Sequence, residues 1–247
     1  MSRLHLRMVV LTAAAALFAA AFACAQEPVT ATLQPSGLIG VTRGGVEMAT
    51  IDLNAHGPGW DHAPQESATG EVSDLAAPTE KRVVGSLPIP STDGGAIEYT
   101  ETVTALPQGL QIAYDLTMSK TMRLSGLQLS VNLPVAVHGG GEVMILQPHD
   151  DAEVVGLPAD PEESRSQLWS GAGATVEVAK EDQKALTIQL RAATDVVVQD
   201  LREWESDVFE VRFPAIMEAG GREVQAGDRF HLDLTLTFPG SLTLEGP

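Results

Sequence analysis

Residues 109–134 read GLQIAYDLTMSKTMRLSGLQLSVNLP, and the alternation in this stretch decides the fold class. Leu110, Ile112, Tyr114, Leu116 and Met118 are apolar at every second position, with Gln111, Asp115 and Thr117 between them. A period of two puts the first set on one face of a strand and the second set on the other. After Ser119-Lys120-Thr121 the pattern resumes at Leu127, Leu129, Val131 and Leu133, interleaved with Gln128, Ser130 and Asn132. This predicts a long hairpin with one apolar face. Met122 and Leu124 sit on even positions and Leu127 to Leu133 on odd ones, so a one-residue change of phase separates the two sets. Gly126 lies between them, and a bulge or bend near Ser125-Gly126 is expected, curving the sheet and making one face concave.

Working outward, Leu38 to Thr42 and Val46 to Leu53 flank Arg43-Gly44-Gly45, a hairpin signal. Strands are expected at Arg82 to Ile89, Ala96 to Thr104, Val143 to Leu146, Val196 to Val198 and Phe209 to Phe213. Ala174 to Ala179 and Ala185 to Arg191 read as another hairpin, and Phe230 to Phe238 alternates without a break. Residues 54–80, rich in Gly, Pro, Ala and acids, read as a long surface loop or as a pair of loops around one short strand, and 147–165 as another acidic loop. No segment sustains the i, i+3, i+4, i+7 spacing of an amphipathic helix. About a dozen short strands joined by tight turns predict an all-β fold, a two-sheet antiparallel β-sandwich with almost no helix outside the leader.

The leader is residues 1–25: Arg3 and Arg7 precede an apolar run from Met8 to Ala23, and Ala23-Cys24-Ala25 is a small-x-small cleavage site. The expectation is a signal peptide over 1–25 and a single β-sandwich domain over 26–247, periplasmic or extracellular. A second reading takes Ala21-Phe22-Ala23-Cys24 as a lipobox, with Cys24 lipidated and the protein anchored to the outer membrane; membrane attachment is expected only in that case. Cys24 is the only cysteine, so the body beyond it has no disulfide and no thiolate chemistry. The formal charge is −18, and losing Arg3 and Arg7 would make it more negative still. Such a body repels nucleic acid and anionic membranes, and no nucleic-acid partner is expected.

Candidate chemistry is sparse. There is no nucleophile elbow, phosphate loop or dinucleotide fingerprint. Glu101 interrupts the apolar face that holds Tyr99 and Val103, which marks an acid that is paired, protonated or at a wet rim. With His149 and Asp150 it completes the short set of acid–base candidates. Asp150, Asp151 and Asp160 are the residues that could bind calcium, although the spacing fits no EF-hand or repeat site, and no metal or other cofactor is expected. His56 and His62 with Asp61 could supply part of a zinc site only with a further protein ligand from elsewhere. Trp60, Trp169 and Trp204 all fall in loop-like or turn-rich surroundings, where a flat indole can stack on the CH face of a pyranose. Arg202, among Asp200, Glu203 and Glu205, reads as a structural ion pair.

The order of Arg43-Gly44-Gly45-Val46-Glu47, QGLQIAYDLTM, LSVNLP and QDLREWESDVFEVRF before a last long strand resembles secreted bacterial β-sandwiches of the galactose-mutarotase-like supersandwich type. The resemblance implies a carbohydrate context. Mutarotase-type enzymes use a histidine with a glutamate, and no matching motif places that couple here. The reading is therefore an exported, non-catalytic sandwich that binds or accompanies a polysaccharide or other glycan. Its alternatives are a carbohydrate-active enzyme of mutarotase or lyase type and a structural envelope protein.

Overall fold

The two strands of residues 109–134 do not pair with each other. A computed structural model describes residues 27–75, 77, 79–148, 151–178 and 184–247, and among them sixteen strands. These are β1 (Val29–Leu33), β2 (Ile39–Arg43), β3 (Val46–His56), β4 (His62–Pro64), β5 (Thr69–Asp74), β6 (Glu80–Pro88), β7 (Ala96–Leu106) and β8 (Gly109–Met118). The second half holds β9 (Met122–Pro134), β10 (Glu142–Leu146), β11 (Ala152–Gly156), β12 (Gln167–Val178), β13 (Leu186–Asp200), β14 (Val208–Val224), β15 (Arg229–Thr237) and β16 (Leu242–Glu245). Among the described residues helix is confined to turns of four residues or fewer.

One hydrogen-bonded path joins β16-β1-β2-β3-β9-β14-β13-β15-β8-β7-β6-β5. The path folds into two layers because β13 serves both: Thr187–Gln189 pairs with β15, and Val197–Asp200 pairs with β14. One layer holds β1, β2, β3, β9, β14 and β16, the other β15, β8, β7, β6 and β5. Apolar residues of both inner faces form one core, with Ile51, Leu53, Val131 and Val211 from the first and Tyr99, Ile112, Tyr114 and Leu234 from the second. The fold is the expected β-sandwich. Pairing is antiparallel throughout the path except for β1 with β16.

The expected central hairpin is corrected by this order. β8 pairs with β7 and β15, β9 pairs with β3 and β14, and the turn at Ser119–Thr121 carries the chain from one layer to the other. Alternation reports which face a residue occupies, not which strand lies beside it, and sequential strands are neighbours only about two-thirds of the time. The irregularity near Gly126 sits in the partner strand. β9 runs unbroken against β3, while β14 shifts register between Pro214 and Ile216 and again between Met217 and Arg222, opposite 124–128. The Gly44-Gly45 hairpin forms as expected, both glycines at positive φ (57° and 80°), the backbone a tight hairpin turn requires. The 54–80 stretch holds two short strands, β4 and β5, where at most one was expected, and 147–165, read as a loop, holds β11.

Candidate functional site

The outward face of β3, β9 and β14 is polar, and much of it is buried. In β3, Ile51, Leu53 and Ala55 point to the core, so Thr50, Asp52, Asn54 and His56 share the opposite face. In β9 that face carries Gln128, Ser130 and Asn132, and in β14 Glu210 and Arg212. Register aligns them in rows: Thr50–Asn132–Glu210, Asp52–Ser130–Arg212, and Asn54–Gln128–Pro214. Asp52, Asn54, Gln128, Ser130, Glu210 and Arg212 are all under a tenth exposed.

Burial of so many polar groups is tolerable only when they bond to one another. Ser130 Oγ donates to Glu210 Oε1 at 2.5 Å, and Arg212 Nη2 donates to Glu210 Oε2 at 2.6 Å with Nε at 3.2 Å. Asn54 Nδ2 donates to Ser130 Oγ at 3.3 Å, and Asn54 Oδ1 accepts from His62 Nε2 at 2.9 Å. That acceptor fixes the proton of His62 on Nε2. Asn132 Nδ2 donates to Asp52 Oδ1 at 3.1 Å and to Thr50 Oγ1 at 3.3 Å. The floor is thus an almost continuous network from His62 to Arg212.

Its titration is set by the same burial. Asp52 is pushed up to about 7, by burial first and then by Glu210, against the hydrogen bonds from Asn54 and Asn132. His56 is pushed down to about 3 by burial, with Arg212 and His62 adding to the fall, so it is neutral across the physiological range. Burial also lowers His62, although Glu210 pulls it back upward. Asp52 is therefore a carboxyl of the floor that has a proton to exchange near neutrality.

An arm closes one end of the floor. The chain leaves β3 at His56, makes a single turn at Pro58–Trp60, and returns as β4 with His62 paired to His56. The turn packs against β9 and β14. The His56 and His62 rings stack at 5.1 Å, and Trp60 meets His56 edge-on at 5.4 Å. Trp60 holds φ at 66°, a left-handed backbone that costs a bulky residue about 1–2 kcal/mol. Such strain concentrates at ligand sites. Opposite His56 stands Gly126, where an added Cβ would lie 2.8 Å from His56 Nδ1 and 3.2 Å from Gln128 Oε1. Only a residue without a side chain lets the ring settle there. His56 Nδ1, in the ring that meets Trp60, and Gln128 Nε2 are buried and have no hydrogen-bond partner among the described residues. Unpaired polar atoms on one floor are what a hydroxyl-bearing ligand would satisfy.

The residues singled out by sequence are dispersed. Trp60 is 39% exposed and belongs to the site. Trp204 is 58% exposed and lies beyond the Pro134–Val208 end of the β9–β14 ladder. The Gly126 end, near Trp60, is roughly 26 Å away along β9 at ~3.3 Å per residue. Trp169 is half-buried in β12 and packs against the core. Glu101 is fully enclosed between the layers, out of reach of a dissolved substrate, and its carboxyl oxygens have no hydrogen-bond partner among the described residues. Arg202 does form its ion pair, with buried Asp200 at 2.6 Å. Asp160 caps the turn Pro161–Glu163, accepting from the Glu162 N–H at 2.9 Å, and Asp151 is exposed. His149, Asp150 and the leader with Cys24 lie outside the described residues. Among the described residues no three His, Cys, Asp or Glu side chains are grouped to hold a metal ion. Asp61, weighed with His56 and His62 for zinc, instead bonds Ser91. Asp52, Asn54, Gln128, Ser130, Asn132, Glu210 and Arg212 were not anticipated.

No family model matches the chain, and no curated protein is significantly similar to it. A galactose mutarotase-like protein from Lactobacillus casei ATCC 334 superposes with a TM-score of 0.50 at 11% identity, over 82% of this chain and 94% of that one. The fold is galactose mutarotase-like. A putative aldose 1-epimerase from Escherichia coli K12 gives a TM-score of 0.49 at 9% identity, over 85% of this chain and 98% of that one. At such identities the likeness is one of fold.

Proposed function

We propose that this chain binds a sugar on the polar floor of β3, β9 and β14, with Trp60 stacked against the ring. The observation that carries the reading is the two unpaired buried atoms of the floor, His56 Nδ1 and Gln128 Nε2, with the His56 ring against an exposed, strained tryptophan. A pyranose offers hydroxyls that donate and accept at its edge and an apolar CH face, which matches a network of amides and carboxyls beside one indole. Arg212 and Asn54 supply donors, Asp52 and Glu210 acceptors. The galactose mutarotase-like fold supports a carbohydrate ligand by analogy. With the leader expected at residues 1–25, the proposed setting is the periplasm or cell surface.

Titration of the chain with a panel of aldoses and polysaccharides, followed by calorimetry and NMR, tests this. Saturable binding to at least one sugar, abolished by Trp60→Ala and by Arg212→Ala, is expected. Absence of binding across the panel, or binding untouched by both substitutions, overturns it.

A second reading is favoured by Asp52 at about 7, linked to His62 through the Asn54 side chain. Exchange of sugar anomers needs a base to take the proton from the anomeric hydroxyl and an acid to protonate the ring oxygen as the C1–O5 bond opens. Closure on the other face of C1 returns both protons. Polarimetry on freshly dissolved aldose decides it: acceleration lost in Asp52→Asn supports catalysis, and a rate equal to buffer leaves binding alone.

A further inference from the structure

Gln65 ends the arm that carries Trp60 and His62, and its side chain is completely buried. On this edge of β3 the ladder to β2 stops at Ile51 and the ladder to β4 starts at Asn54. Between them the Leu53 N–H donates to Gln65 Oε1 at 2.6 Å, so a side-chain amide fills the gap that the two strands leave. The same amide reaches the opposite layer. Gln65 Nε2 donates to the Tyr114 hydroxyl at 2.9 Å, and that hydroxyl lies 3.1 Å from Gln65 Oε1.

Tyr114 stands directly across from Glu101 in the β7–β8 ladder, and both are fully buried. Glu101 Oε2 and Gln65 Nε2 converge on Gly37, where an added Cβ would lie 2.1 and 2.4 Å from them. Gly37, at φ +86°, is the bare backbone that lets the layers close on the cluster. Tyr99 completes it, donating to the Ser36 carbonyl at 2.6 Å. Burial pushes the Glu101 carboxyl well above its ordinary range, opposed in part by the Tyr114 hydroxyl. With both oxygens buried and unpaired among the described residues, its charged form is disfavoured against the neutral acid.

We infer that Gln65, held by Tyr114, is the positioning device of the arm: from inside the core it fixes Trp60 and His62 over the floor without touching ligand. The inference takes the binding role of the arm from the proposed function, but the placement of Trp60 can be read without any ligand. The chain contains three tryptophans, so Trp169→Phe with Trp204→Phe leaves Trp60 as the sole indole. In that background, Gln65→Ala and Tyr114→Phe are expected to red-shift Trp60 emission, raise its quenching by acrylamide, and weaken sugar affinity about tenfold, the effect of one buried hydrogen bond. Glu101→Gln, a neutral isostere, is expected to leave all three close to the reference. Where Gln65→Ala does not fold, Tyr114→Phe, which removes a single oxygen, carries the test.

Unchanged Trp60 emission and quenching in folded Tyr114→Phe overturns the inference. A shift in Glu101→Gln as large as that in Tyr114→Phe overturns the neutral-acid role of Glu101. A reference protein that binds no sugar, yet whose Trp60 is released by Tyr114→Phe, refutes the proposed function and supports the positioning device.

Discussion

Replacing Asp52 with asparagine should stabilise the protein at alkaline pH and leave it nearly unchanged in acid. Asp52 is 9% exposed on the floor, and burial with the nearby Glu210 carboxylate raises it from 3.8 to about 7. A carboxyl that holds its proton more tightly when folded contributes fully below about pH 4. That contribution is lost as pH rises through the folded value, and above pH 7 the fold carries an unfavourable charge. About three units at ~1.4 kcal/mol each give an upper figure of roughly 4 kcal/mol, and contact with water trims it to about 2–4. Asn keeps an oxygen to accept from Asn132 and never ionises. Urea denaturation should therefore give matching stabilities at pH 4 and an advantage for Asp52→Asn of about 2–4 kcal/mol at pH 8. Glu101 imposes a slope of the same sign on both proteins, so the measure is the difference between them, not the slope of either. A difference that is the same at both pH values refutes the assignment of Asp52. A stability gain coupled to loss of sugar binding would mean that the site keeps a costly carboxyl for its ligand.

Arg212→Met strips the partner from Glu210, whose side chain is 3% exposed, and should cost about 3–5 kcal/mol in denaturant midpoints. Adding Glu210→Gln should recover much of that, since the stranded charge is gone. Gly126→Ala places a Cβ against His56 and should cost about 1–3 kcal/mol while shifting the His56 ring resonances in NMR. Arg202→Ala leaves buried Asp200 unpaired and frees the Pro158 and Ala159 carbonyls, for a loss of about 3–5 kcal/mol near neutrality. Burial alone would raise Asp200, but the Arg202 hydrogen bonds hold it below its usual value. The loss should shrink as pH falls through that depressed value and the carboxyl takes up a proton.

What could be read in the sequence was the side of each strand, and what could not was its neighbour. The alternations TIDLNAH in β3, LQLSVNLP in β9 and FEVRF in β14 each announce one apolar and one polar face. Their meeting follows from pairings between segments about 80 residues apart, such as Asp52 with Ser130 and Ser130 with Arg212, which no local pattern encodes. A polar residue on an outward face is ordinarily solvated, so Asp52 and Glu210 gave no signal by themselves. Only three such faces side by side turn surface polarity into a buried network. Glu101 shows the converse. Its interruption of the Tyr99–Val103 face was legible as an anomaly that had to be paired, protonated or at a wet rim, but which of these holds depends on what closes the face. That face is the closed one, so the acid lies among Tyr99, Tyr114 and Gln65, out of reach of a ligand. The three tryptophans carry the same lesson, being alike in composition of context and unlike in place. Trp60 is singled out by its left-handed backbone and by His56, which the β3–β4 turn brings under its ring. A loop aromatic becomes a binding platform only where the register beneath it supplies polar atoms left to satisfy, and here that register is the one set by Gly126.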